Sequence, residues 1–145
     1  MRDYKKILLC LDLTEESETI AARAKALAAT FGAELTLLHV VEYVPVEPMG
    51  EALLPAVQIE GELVERARVR IGELATRLGL AHCERLVHTG NIKTEVVRIA
   101  QTRATDLIVI GSRERHGVSI LFNFTEDTVL HAAPCDVLAV RLHKE

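Results

Sequence analysis

Two stretches of the sequence have the composition to do chemistry on a phosphate. Asp12 closes the apolar run Lys6-Ile7-Leu8-Leu9-Cys10-Leu11. A carboxylate at the end of a buried strand can hold a ribose hydroxyl or a metal-bound phosphate; equally, it can be a loop acid stabilised by the next helix's dipole. Gly111-Ser112-Arg113-Glu114-Arg115-His116-Gly117 follows the apolar run Leu107-Ile108-Val109-Ile110. A glycine-bearing turn ahead of a helix presents backbone N–H groups to anions, although such loops are common in α/β chains. The segment fits neither G-x-x-x-x-G-K-[ST] nor G-x-G-x-x-G, whose glycines belong after the first strand.

Other constellations fail on spacing. His82 and His88 share a strand face, but six residues of extended chain separate them by about 20 Å, too far for one metal. The sequence contains no H-x-x-x-H or C-x-x-C pair. Cys10 lies in an apolar strand and reads as core packing. Cys135, beside Pro134, has no basic residue nearby in sequence to make it a reactive thiolate. Ser112 and Ser119 do not sit in a G-x-S-x-G elbow. A phosphoacceptor receiver domain would need an aspartate at the end of its third strand, where this chain has Val87-His88-Thr89-Gly90.

The elements that must position these residues alternate regularly. Lys6 to Leu13 reads as a strand covered on both faces. Thr14 is the expected N-cap of a helix with Glu15 and Glu16 in its first turn; Ile20, Ala24, Leu27, Ala28 and Phe31 form its apolar stripe and Gly32 its stop. Glu34 to Val41 is strand two. Glu42 to Ala56, with Pro45, Pro48, Pro55 and Gly50, is expected to be irregular, over the ligand end of the sheet. A helix from about Val57 to Leu78 follows, with Glu62–Arg66 and Glu73–Arg77 as expected surface pairs, and Gly79 ends it. Cys83 to His88 is strand three. Asn91 caps a helix bearing Ile92, Val96, Ile99 and Ala100; Asp106 to Gly111 is strand four. A weaker helix is expected over about 118–131, and Cys135 to Leu142 is strand five.

This β-α-β-α-β-α-β-α-β pattern predicts a doubly wound α/β domain, residues 1–145, with a five-stranded parallel sheet and four helices on both faces. The 145-residue length and 49% hydrophobic content suffice for a core without metal or disulfide. A net charge of −4 gives no general attraction to nucleic acid or anionic lipid. No apolar run approaches the roughly 18 residues of a bilayer span, and no signal-peptide pattern is present. Three cysteines without paired spacing point to a reducing, cytoplasmic setting. Ligands of such sheets bind outside the carboxyl ends of the strands, here Asp12, Val41–Glu42, His88–Gly90 and Gly111–Arg115.

Across its whole length the chain resembles the universal stress protein family. The resemblance rests on Tyr4-Lys5-Lys6-Ile7-Leu8-Leu9-Cys10-Leu11-Asp12-Leu13-Thr14-Glu15-Glu16-Ser17 and Leu37-Leu38-His39-Val40-Val41. It continues through Thr89-Gly90-Asn91, Asp106-Leu107-Ile108-Val109-Ile110-Gly111-Ser112 and Ala132-Ala133-Pro134-Cys135-Asp136-Val137-Leu138-Ala139-Val140. It implies strand order 3-2-1-4-5, a cytoplasmic homodimer and no firmly established reaction. It also implies two branches, one binding ATP and one not. Binders resemble G-x2-G-x9-G-[ST] after strand four. Carried over, a nucleotide site would comprise Asp12, Val40, Val41, Gly111, Ser112, Arg113 and Thr125. This sequence departs from the pattern at Glu114 and at Asn123 or Phe124, where glycines let backbone approach phosphate; Arg113 and Arg115 compensate part of the added negative charge. The leading expectation is therefore a regulatory homodimer with no required cofactor and without tight ATP binding. The alternative is an adenine-nucleotide signalling module using ATP with magnesium. The remote third reading is slow ATPase or nucleotidyl transfer, with only Asp12, Glu114 and His116 as candidate groups.

In the implied order strand five is a sheet edge. Val137, Leu138, Ala139 and Val140 leave it without protecting charges, whereas strand three carries Glu84, Arg85 and His88. Strand five is the expected homodimer interface, paired antiparallel with its own copy. An unidentified protein partner would be a further role for a regulator of this kind.

Overall fold

The computed structural model describes residues 3–42, 53–113, 129 and 131–142, with backbone alone at 53–58, 113 and 142. The elements are β1 (Lys6–Cys10), α1 (Ser17–Phe31), β2 (Glu34–Val41), α2 (Leu53–Arg77), β3 (Glu84–Thr89), α3 (Ile92–Thr102), β4 (Leu107–Arg113) and β5 (Asp136–Leu142). All neighbouring strands run parallel, in the order β3-β2-β1-β4-β5. The expected doubly wound sheet and its strand order are therefore present.

Alternation along each strand divides the core. Ile7, Leu9, Leu35, Leu37, Leu107 and Val109 face one side, where α1 and α2 supply Ile20, Ala24, Ile71 and Leu74. Leu8, Leu38, Val40, Ile108 and Ile110 face the other, under Val96, Ile99 and Ala100 of α3 and under Val129. Covering both faces explains why the central strands read as continuous apolar runs.

Several boundaries differ from the sequence expectation. β1 stops at Cys10 rather than Leu13, and Leu13 itself adopts a left-handed φ of 59° that no strand residue holds. Thr14 does not cap α1. Glu16 occupies that position without a side-chain cap bond, while the Thr14 hydroxyl donates to Asp12 at 2.8 Å. α2 begins at Leu53, four residues before the expected Val57, and takes Pro55 into its first turn, where a missing N–H goes unnoticed. Residues 43–52 of the expected irregular segment lie outside the described residues. Arg77 pairs with Glu18 of α1 at 2.8 Å instead of with Glu73, so it ties two helices together rather than decorating one. β3 starts at Glu84, β4 runs on to Arg113, and β5 starts at Asp136. The fourth helix falls mostly outside the described residues, with Val129, His131 and Ala132 helical. Asn91 caps α3 as expected: its Oδ1 accepts from the Thr94 amide at 3.2 Å.

Candidate functional site

The sheet changes winding direction between β1 and β4. β1 leads outward to β2 and β3 on one side, and β4 to β5 on the other. That is where a crevice opens in doubly wound folds. Leu9 pairs with Val109, so Asp12 and Ser112, each three residues further on, reach the same edge of the sheet. Asp12 is exposed there, and Gly111 and Ser112 are half-buried on β4. Arg113 ends β4. Thr125, and with it Glu114, His116, Asn123 and Phe124, lies outside the described residues.

Local chemistry fixes Asp12. Its Oδ1 accepts from the Thr14 amide at 3.1 Å, the Thr14 hydroxyl at 2.8 Å and the Ser17 hydroxyl at 3.1 Å. This is an Asx-type turn reinforced by a buried serine from the first turn of α1. The loop's carbonyls are held from outside as well. The Arg70 guanidinium of α2 donates to the Leu13 carbonyl. His39 of β2 meets the Leu11 carbonyl through Nδ1 at 2.7 Å, and since a carbonyl only accepts, the ring carries its proton on Nδ1. A buried leucine at positive φ persists only where its surroundings over-determine it, and these contacts do so. Thr14, Ser17, His39 and Arg70 are absent from the sequence-based site. The Asp12-x-Thr14 spacing carried a turn signal for the first two; nothing in the sequence links Arg70 to Leu13.

Val40 and Val41 are the last residues of β2, both buried and on opposite faces of the sheet. The Val41 carbonyl accepts from the Gly90 amide at 3.1 Å. Beyond it, Glu42 Oε1 accepts from the Ile92 amide at 2.8 Å, so a carboxylate oxygen joins the Asn91 carboxamide oxygen at the start of α3. Gly90, at φ 137°, is required there: a Cβ would lie 3.3 Å from Glu95 Cγ and Oε1. An open groove of about 740 Å³ flanks this corner between α2 and β3, bordered by Arg68, His88, Glu95 and Arg98.

Two of the thiols, Cys10 and Cys83, are held in the protonated form. Burial pushes Cys10 up to about 12, with Cys135 adding to the rise. Desolvation also raises Cys83, partly offset by Arg85. Among the described residues no group of three or more His, Cys, Asp or Glu side chains could hold a metal ion.

The universal stress protein family model matches residues 3–141. The chain belongs to the universal stress protein family. It is 37% identical over 143 residues to a universal stress protein A homolog 2 of Coxiella burnetii, covering 98% of each chain. Universal stress protein UspA from Lactobacillus plantarum superposes with a TM-score of 0.74 at 23% identity, covering 97% of this chain and 100% of that one. A universal stress protein solved in complex with cAMP superposes with a TM-score of 0.65 at 21% identity, covering 96% and 98%. These last two likenesses concern the fold of this universal stress protein. Its described residues include no helix long and apolar enough to cross a membrane.

Proposed function

We propose that this universal stress protein is a cytoplasmic regulator, a single domain over residues 1–145 that works as a homodimer through β5, has no catalytic centre and does not hold ATP tightly. The observation that carries the nucleotide part is the sequence that follows β4. Glu114 stands where nucleotide-binding relatives are expected to have glycine, and Asn123–Phe124 where they are expected to have another. A glutamate there sets bulk and negative charge against a polyanion. The engagement of Asp12 Oδ1 by Thr14 and Ser17 adds to this, since a ligand hydroxyl must share that oxygen with three resident donors.

The dimer part is supported by β5 itself. It ends the described sheet, pairs with β4 on one side, and carries Val137, Leu138, Ala139 and Val140 in succession. Calorimetric titration with ATP and magnesium tests the nucleotide reading: heats too small for micromolar affinity are expected, and a micromolar or tighter dissociation constant overturns it. In the companion variant Glu114→Gly with Phe124→Gly, affinity is expected to rise.

A second reading keeps adenine-nucleotide occupancy as a signal. It is favoured by the surviving Asp12 and Gly111–Ser112 at the β1/β4 crevice and by a family member's complex with cAMP. Nucleotide identified after denaturing freshly purified protein separates it from the first.

A further inference from the structure

A second cavity opens at the opposite end of the sheet from Asp12. It has a volume of about 350 Å³ and lies beneath the C-terminus of α3, against the first residues of β1 and β2. That volume is within the range of small-molecule sites. Lys6, Glu34, Thr36, Arg103 and Thr105 line it. Lys6 and Glu34 are register partners on adjacent strands, and both lie on the face that carries Leu8 and Leu38.

The polar groups there are incompletely used. Thr36 is 6% exposed and Thr105 9%, and among the described residues neither hydroxyl has a hydrogen-bonding partner. A buried hydroxyl without a partner is costly, and natural interiors supply one. Among the described residues the Glu34 carboxylate has no ion pair, although Lys6 is its neighbour. The Lys6 ammonium turns instead to the Arg103 carbonyl, at a loose 3.5 Å. The Arg103 guanidinium is paired with Glu84. Opposite charges that are not paired with each other thus border a cavity that two threonines also line.

We propose that this cavity binds a small zwitterion, a molecule carrying carboxylate and ammonium groups as a free α-amino acid does. The sign pattern selects it. A simple anion meets Lys6 and the hydroxyls but also faces Glu34 and the negative end of the α3 dipole. A simple cation suits Glu34 and the helix end but competes with Lys6. A zwitterion sets its carboxylate on Lys6 Nζ, Thr36 Oγ1 and Thr105 Oγ1 and its ammonium on Glu34 and the last carbonyls of α3. The site is separate from the β1/β4 crevice and stands whether or not a nucleotide binds there.

Amide chemical shifts of the intact protein, titrated with L-serine and in parallel with acetate and with methylammonium, test the proposal. Saturable shifts at Thr36, Ala104 and Thr105 in the millimolar range are expected with serine alone. Thr36→Val and Thr105→Val are each expected to weaken binding about tenfold, the loss of one hydrogen bond to a charged group. Glu34→Gln, at an exposed position that folding tolerates, is expected to weaken serine binding likewise. No saturable shift with serine overturns the proposal, as does equal binding of acetate or methylammonium. It is also overturned if the valine variants raise thermal stability while serine affinity stays unchanged, which would mark the hydroxyls as structural alone.

Discussion

At the residue scale, the turn after β1 depends on contacts that reach it from far along the chain. Arg70 satisfies the carbonyl of a leucine held in the left-handed region. Arg70→Ala leaves that carbonyl part-buried without its donor and is expected to cost about 1–3 kcal/mol, read as a lower urea midpoint at unchanged slope. Cys10 gives a pH signature. Its thiol rises from 9.0 to about 12 in the folded chain. A group whose folded pKa is raised contributes stability that is complete below the unfolded value and fades as pH climbs toward the folded one. Stability is therefore expected to fall between pH 9.0 and about 12, and Cys10→Ala to flatten that part of the profile in denaturant titrations at stepped pH. The sequence made Asp12 legible as a candidate because an acid after an apolar strand is conspicuous. It hid Arg70 and His39, whose partners are backbone carbonyls 57 and 28 residues away and leave no mark on side-chain pattern.

At the scale of elements, the strands were legible because a parallel sheet buried on both faces needs unbroken apolar runs, and this chain has them. Leu37 is fully buried at the centre of β2, and Leu37→Ala is expected to cost about 2–5 kcal/mol by thermal or urea unfolding. The cap of α3 was legible too, since asparagine before an amphipathic helix has a local mechanism. Asn91→Ala is expected to lower stability by about 1 kcal/mol, with Glu42 still serving the Ile92 amide. Thr14 has the same cap chemistry but the expectation failed there. Asp12 lies two residues earlier and accepts from both the threonine's amide and its hydroxyl, which draws Thr14 into a turn, and α1 starts later, behind Glu16. The start of α2 was hidden by Pro55, which discourages helix in an interior turn but not in a first turn.

At the scale of the molecule, the proposed homodimer uses β5 as its interface and the proposed regulator does not retain ATP in its crevice. Val137 and Ala139 lean toward one core and Leu138 and Val140 toward the other, so a copy paired along this edge would extend both cores at once. Ala139→Pro removes a backbone donor from the strand and is expected to yield monomers or to unfold the chain, by sedimentation and circular dichroism at micromolar concentration; a folded, fully dimeric variant places the interface elsewhere. Native mass spectrometry of the purified protein with ATP and magnesium at micromolar concentration tests dimer and nucleotide together. The predicted result is a species of twice the 16.0 kDa protomer without a nucleotide adduct. A monomer, or a dimer that carries ATP, would contradict it.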